Sequence, residues 1–461
     1  MNTKILAFAL AIGSPFLLAD CEEAMEVTIP GFPDGGLTRT GTPLKREQLQ
    51  TSFEGMFNVN KGSSLLGDQS SVITKPGTVS ILTNKDAGFA VLNAACLPDQ
   101  RVVVEGYWQY PTRSDAGLVR VFVDPPEVAQ ALCNGESPAP DTGFALIGTY
   151  GEDNDIPTRP LELRWAHELK EWRNRFYTVA HHGACEATDH CGVSPNTIES
   201  IRLAERIGSN AAELDVRVTR DGIPVLFHDP TLSRSLVRGL FCNGAFNQLS
   251  LAELRGACMA RYGEQIPTLE AALDMMIKET ELEGAYLDEK TADGVLESAR
   301  LVAYADADMR QRNATNAASE PDRKFSALIG IPTDEVLDAW RAAKTTLEAE
   351  FAEKNPERAA QGLPELQLPK CLLEYDVDKV IAEQCVAWGP TWTSGPQPEN
   401  VQKLRDNDIG TIFWTINESE FIEGFLTTSK PDGIITARAS TLFQLYQLVG
   451  SVPEPRGANK P

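Results

Sequence analysis

Two rhythms of apolar and polar residues divide this chain near residue 165. Between about residues 27 and 164, short β-rich or alternating runs at 79–83, 88–92, 101–108 and 117–123 are separated by Gly, Pro, Asn and Asp. Regular short strands with turn residues between them predict a small all-β domain, a sandwich or a barrel. From residue 165 onward, strand-like apolar runs alternate with helical stripes. The runs fall at 176–180, 224–227, 284–290, 324–330, 371–375, 385–388, 410–415 and 433–436, and helical patterns at 196–208, 333–353 and 398–407. The first of these helices has a polar start and a Gly stop. Repeated βα units over this length predict a single barrel. The expected fold class is α/β: a TIM (β/α)8-type barrel at 165–450, preceded by a small all-β domain at 22–164. The stretch 353–368, rich in Glu, Pro, Gly and Ala, reads as a solvated surface connection.

Composition narrows the class of protein. A length of 461 residues suits two domains. With 42% hydrophobic and 23% charged residues, a largely disordered chain is excluded. The net charge of −23 argues against nucleic acid or an anionic membrane surface as the main partner. Residues 1–21 carry Lys4, an apolar run broken by Gly13-Ser14-Pro15, and then acidic residues around Cys21, the layout of an export signal. The expected destination is the periplasm, the cell surface or the exterior, and residues 451–461 read as a flexible tail. Cys21 follows the run as in a lipoprotein processing site, but Asp20 departs from that pattern, so a lipid anchor at Cys21 is the less favoured reading and the one route to a membrane that this stretch offers. The other eight cysteines fall into close pairs, Cys96 with Cys133, Cys185 with Cys191, Cys242 with Cys258 and Cys371 with Cys385. Such pairing suits an oxidising compartment, and proximity makes these the simplest connections.

Candidate chemistry is concentrated in a short stretch. Three of the five histidines lie in His181-His182-Gly183 and His228-Asp229-Pro230, with Glu213-Leu214-Asp215 between them. Each block ends an apolar run, and these runs read as consecutive buried strands. In a β/α barrel, polar residues at the carboxyl ends of neighbouring strands face one mouth. Two imidazoles and several carboxylates there suit metal-assisted acid/base chemistry. Glu213 and Asp215 lie two apart on a strand, so their side chains share a face. The bland alternative is that they cap a helix or pair with Arg217 and Arg220. His190, between Cys185 and Cys191, reads as an exposed loop residue.

An ordered set of motifs resembles the glycerophosphodiester phosphodiesterase family. It comprises His-His-Gly at 181–183, Pro-Asn-Thr at 195–197, Glu-Leu-Asp-Val at 213–216, Thr-Arg-Asp-Gly at 219–222 and His-Asp-Pro-Thr-Leu at 228–232. Ile-Pro-Thr-Leu-Glu at 266–270, Leu-Asp-Glu-Lys at 287–290, Phe-Trp-Thr-Ile-Asn at 413–417 and Asp-Gly-Ile-Ile-Thr at 432–436 follow. The resemblance implies His181 and His228 as catalytic residues. It implies Glu213, Asp215 and Asp288 as ligands of one divalent cation, Ca²⁺ or Mg²⁺, and Lys290 as the neutraliser of phosphate charge. Trp414 matches an aromatic at the mouth of the last barrel strand and, with His182, joins the expected substrate-binding set. The implied substrate is a small phosphodiester or phospholipid head group, hydrolysed to an alcohol and glycerol 3-phosphate.

Two departures stand out. His182 occupies a position where many family members carry arginine, and Pro195 one where glutamate is usual. Imidazole lacks the bidentate fork that arginine offers to phosphate. Ala437 replaces a common aspartate near the C-terminus. The absence of the arginine also fits a sphingomyelinase D or phospholipase D-like lyase acting on sphingomyelin or lysophospholipids. A non-catalytic surface protein that keeps a metal site is the alternative of another class.

Overall fold

The computed structural model describes residues 28–171, 176–316 and 323–450. The expected export signal, Cys21 and the C-terminal tail lie outside these residues.

Eight strands form the barrel of the first domain: β1 (Gly55–Lys61), β2 (Gln69–Lys75), β3 (Thr78–Leu82), β4 (Phe89–Cys96), β5 (Val102–Gln109), β6 (Ala116–Asp124), β7 (Ala145–Tyr150) and β8 (Arg159–His167), with the two-residue strand Thr42–Pro43 added at the edge of β4. Each pairs antiparallel with the next, and β1 pairs with β8, so the sheet closes into an up-and-down barrel. Closure removes the exposed edges that an open sheet would present. Alternation along the strands separates two cores. Ala90, Leu92 and Ala94 of β4 join Val79, Ile81, Val102, Val104, Val119 and Val121 in the core of this barrel. Phe89 and Val91, on the opposite face, pack instead with residues of the second domain.

The second domain is the expected (β/α)8 barrel. Its strands are β9 (Tyr177–Ala180), β10 (Ala211–Val218), β11 (Gly284–Glu289), β12 (Ser326–Ile331), β13 (Lys370–Leu373), β14 (Ala387–Trp388), β15 (Gly410–Phe413) and β16 (Gly433–Thr436). All eight are parallel, and β9 pairs with both β10 and β16 to close the ring. Val179, Ala211, Tyr286, Leu328, Leu372, Ala387, Ile412 and Ile435, one from each strand, form a single packed cluster. The helices are α1 (Ile198–Arg206), α2 (Leu269–Glu279), α3 (Val295–Asn316), α4 (Asp334–Ala360), α5 (Val377–Ala382), α6 (Pro398–Arg405), α7 (Ser419–Thr428) and α8 (Ala439–Leu448). Thr197 caps α1 by accepting a hydrogen bond from the Ser200 backbone, and Thr333 caps α4 by accepting one from Val336.

Two expectations are corrected. The apolar run before His228 is not a barrel strand. Pro224–Leu226 folds back antiparallel on β10, with Val216 opposite Leu226. The connection through Asp221-Gly222 is far too short for the crossover that a parallel neighbour needs. The segment 353–368 is also not all loop, because α4 runs on to Ala360 with Pro356 inside it. Tertiary docking offsets the backbone bond that proline removes. Phe351 is buried, and the Asn355 amide both donates to and accepts from the backbone of Leu366.

Between β10 and α2 the chain makes an excursion with its own small core of Val225, Phe227, Val237, Phe246, Leu254 and Ile266. The Cys242–Cys258 disulfide lies in that core, and the other three cysteine pairs also bond as proximity suggested. Helix α8 joins the two barrels. Every residue from Ala439 to Gln447 is buried. The Ser440 hydroxyl donates to the Ala87 carbonyl at 2.7 Å, and the Gln444 amide hydrogen-bonds Ser71 and the Gln69 carbonyl. Phe443 packs against Gly208, where a Cβ would meet the Phe443 ring and Leu82. Phe443→Ala is expected to destabilise the protein by about 3–5 kcal/mol, the cost of emptying a fully buried aromatic site, as measured by chemical denaturation.

Candidate active site

Parallel register between β10 and β11 decides the centre of the site. Asp215 lies opposite Asp288 across the sheet, and Glu213 stands two residues before Asp215. Ligand-capable oxygens of Glu213, Asp215 and Asp288 lie within 4.8 Å of one another. Three carboxylates this close, and this well buried, repel unless positive charge is supplied. Lys290 supplies part of it. Its ammonium lies 2.7 Å from Asp215 Oδ1 and also contacts Asp288. The arginines do not pair with the trio: Arg217 Nε donates to the His228 carbonyl, and Arg220 pairs with Glu253.

The first βα turn brings the histidines in. His182 has φ +52° and Gly183 φ +89°, a left-handed turn that is strained for the histidine. Hydrogen bonds hold it there: the His182 backbone N–H donates to Glu213 Oε2 at 2.8 Å, and its carbonyl accepts from the Asn196 N–H at 2.8 Å and from the Ser200 hydroxyl at 3.4 Å. At Gly183 a Cβ would lie 2.4 Å from Ser200 Oγ, so only glycine fits. The rings of His181 and His182 stack at 3.6 Å between centroids, and His228 stands 5.1 Å from His182. His182 Nε2 lies 3.3 Å from Asp215 Oδ2, and His181 Nε2 lies 3.9 Å from Glu213 Oε2. His228 comes from the excursion after β10, with Nδ1 2.7 Å from Asp229 Oδ1, and is about half exposed.

Electrostatics follow burial. Desolvation pushes the imidazoles of both His181 and His182 down, His181 well below its ordinary range, while the nearby Asp215 carboxylate opposes that shift. Burial pushes Glu213 well above the carboxylate range and raises Asp288. At Asp215 burial acts in the same direction, but His182, Lys290 and His228 outweigh it and hold the carboxyl low. Burial also opposes the charge of Lys290, yet Asp215, Asp288 and Glu213 keep its ammonium above the ordinary value.

The donor set fits a hard divalent cation, which takes oxygen ligands. Asp288 Oδ1 is buried without a hydrogen-bond partner, as a ligand atom would be. Cys185, Asp189 and Cys191 also cluster, but both cysteines are in a disulfide and cannot ligate.

Sequence reasoning named the histidines, carboxylates and lysine, and the structure brings them together. Trp414 follows β15, the seventh barrel strand and not the last as expected, two strands from His181 around the ring, and its indole N–H donates to the Gly389 carbonyl at 2.6 Å. Contrary to expectation, His190 is half buried. It is held by the first barrel through the Pro111 carbonyl and Gln109. Three supporting groups were missed. Asn196 donates to Asp215 Oδ2 at 2.6 Å and accepts from the Asp215 backbone at 3.0 Å. Asp229 holds His228, and their adjacency was the available signal. Tyr286 donates to Glu374 Oε1 at 2.7 Å; burial and Asp288 push that carboxyl up to about 7. Nothing in the sequence links those two residues. A cavity of about 520 Å³ opens beside the histidines, lined by His182, Pro195, Phe227, His228, Leu236 and Ile266 among others.

The mouth of this parallel β/α barrel thus gathers three imidazoles, an acidic trio and a lysine, the arrangement of a barrel enzyme. The chain matches the glycerophosphoryl diester phosphodiesterase family over residues 183–441, more than half its length, and belongs to that family. It is 34% identical over 120 residues to bovine glycerophosphodiester phosphodiesterase 1, covering 25% of this chain and 34% of that protein. The match thus spans about a third of the length of that mammalian relative. A probable glycerophosphodiester phosphodiesterase 2 of Mycobacterium tuberculosis is 25% identical over 278 residues, covering 57% of this chain and 90% of the relative. Among solved structures, an Oleispira antarctica phosphodiesterase in complex with the product sn-glycerol-3-phosphate is 19% identical, with a TM-score of 0.40 over 58% of this chain and 95% of that one.

Two outcomes follow from this geometry. Glu213 and Asp288 have folded-state pKa values raised above their unfolded ones, so their contribution to stability is present in acid and lost as pH rises through the folded values. A bound divalent cation restores it, so the rise in melting temperature on adding Ca²⁺ or Mg²⁺ is expected to be larger at pH 8 than at pH 5. Asn196→Ala, which frees Asp215, is expected to weaken cation binding about 10- to 100-fold in isothermal titration calorimetry while the fold is retained.

Proposed function

We propose that this chain is an exported, metal-dependent phosphodiesterase that hydrolyses glycerophosphodiesters to an alcohol and glycerol 3-phosphate. The observation that carries the reading is the convergence of His181 and His228 on the trio Glu213, Asp215 and Asp288, with Lys290 bridging two of its members. Four disulfides support an oxidising destination.

Glu213, Asp215 and Asp288 would hold a Ca²⁺ or Mg²⁺ ion, which supplies Lewis-acid polarisation of the phosphate. Lys290 holds a fixed positive charge against the phosphate oxygens. His181, neutral because it is buried, takes the proton from the attacking water. His228 has Nδ1 engaged by Asp229, so Nε2 is left to give a proton to the leaving alkoxide. One proton is taken and one given, which balances hydrolysis. His182 spaces the two catalytic rings and binds Asp215, and its imidazole lies in the cavity wall where it meets substrate.

His181→Ala and His228→Ala are each expected to lower kcat on glycerophosphocholine by about 10²- to 10⁴-fold with unchanged melting temperature. Phosphorus NMR on a panel of diesters, with Ca²⁺, with Mg²⁺ and with chelator, reads both rate and product. Full activity in either variant removes the assignment, and a persistent cyclic phosphate would identify the lyase reaction instead.

A further inference from the structure

Exposed large apolar side chains gather at one place on this protein. Seven occur among the described residues, and three of them, Leu240, Phe241 and Met259, belong to the excursion between β10 and α2. Leu240 is 93% exposed and Phe241 81%. The excursion does not lack a core to receive them. Val237, Cys242, Phe246, Leu254 and Cys258 already fill one. The tip is also held in shape: Val237 pairs with Ala260, Arg238 pairs with Met259, and the Cys242–Cys258 disulfide closes the loop. Leu240 and Phe241 therefore project from a fixed turn between Arg238 and Cys242.

Charge reverses sign in the same segment. Residues 233–261 carry four arginines, Arg234, Arg238, Arg255 and Arg261, against the single carboxylate Glu253, in a chain whose net charge is −23. Arg234, Arg238 and Arg255 are exposed. At physiological salt a charge acts over about 8 Å, so a nearby surface meets this local positive patch before the distant negative charge. An apolar tip on a basic segment matches an anionic bilayer, where apolar groups enter the boundary between head groups and chains and arginines meet acidic lipids.

We propose that the excursion is a docking element for anionic phospholipid bilayers, with Leu240, Phe241 and Met259 inserted and Arg234, Arg238 and Arg255 against the head groups. Leu236 and Ala260, next to this tip, line the cavity beside His182 and His228. Docking therefore brings the mouth of the candidate site to the lipid surface. The proposal stands on exposure and charge, and does not require the phosphodiesterase reading.

Sedimentation of the full chain with vesicles tests it. Binding is expected to vesicles of phosphatidylglycerol and phosphatidylcholine, and to be weaker with phosphatidylcholine alone. The L240S/F241S double variant is expected to lose at least about tenfold in vesicle affinity. Arg234→Gln and Arg255→Gln are each expected to lose about fivefold, an effect that high salt abolishes. Melting temperature and hydrolysis of soluble diesters should stay unchanged in all of them. Equal sedimentation of the double variant and the wild type overturns the proposal. Equal binding to neutral and anionic vesicles also overturns it, as does binding to neither, which would assign the tip to a protein surface. An inactive chain that still binds would refute the proposed function alone.

Discussion

The repulsion among three buried carboxylates is the constraint around which the second barrel is organised. Glu213, Asp215 and Asp288 meet because β10 and β11 run parallel in a register that sets Asp215 beside Asp288. Burial at this point would neutralise them, and Glu213 and Asp288 are indeed pushed up. Asp215 stays ionised because Lys290 and His182 lie against it, and Asn196 fixes its second oxygen. The strained backbone of His182 is held by the same acids, through the Glu213 carboxylate. Charge balance, loop strain and side-chain placement are thus one coupled arrangement, and a divalent cation would complete it.

The first barrel supports that arrangement from outside. Its outward residues Ile73, Leu82, Phe89 and Val91 pack in one cluster with Leu203 and Ala204 of α1 and Phe443 of α8. Phe176, just before β9, stacks on Tyr446 of α8 at 4.6 Å. The loop that carries the Cys185–Cys191 disulfide is clasped through His190 by Gln109 and Pro111. The strand and loop that flank His181 and His182 are therefore fixed on a second rigid body. Rigid elements position reacting groups more accurately than free loops do.

The excursion after β10 serves two ends. It delivers His228 to the mouth by a hairpin, where a regular βα unit would have carried the chain away along a helix. It also walls the cavity beside the histidines and carries its own core, so its outer tip is free of packing duties. Apolar residues exposed under those conditions mark a surface built for contact.

Much of this protein was legible in its sequence because the signals are local. Period-2 alternation marked the first domain, strand and helix rhythms marked the βα units, and the ordered motifs marked His181, Glu213, Asp215, His228, Asp288 and Lys290. Cysteine proximity marked all four disulfides. Other features depend on residues distant in sequence, and no local signal could reveal them. Only closure of β1 on β8 chose a barrel over a sandwich. The Asn355 amide ties the proline-containing end of α4 to Leu366, and the Tyr286–Glu374 bond joins residues 88 positions apart. The sequence by itself determined which groups make up the candidate site, because residue type and spacing are written in one dimension. The tertiary structure alone decided their charge states, their strain and the face they present, because burial and register are properties of neighbours brought together by the fold.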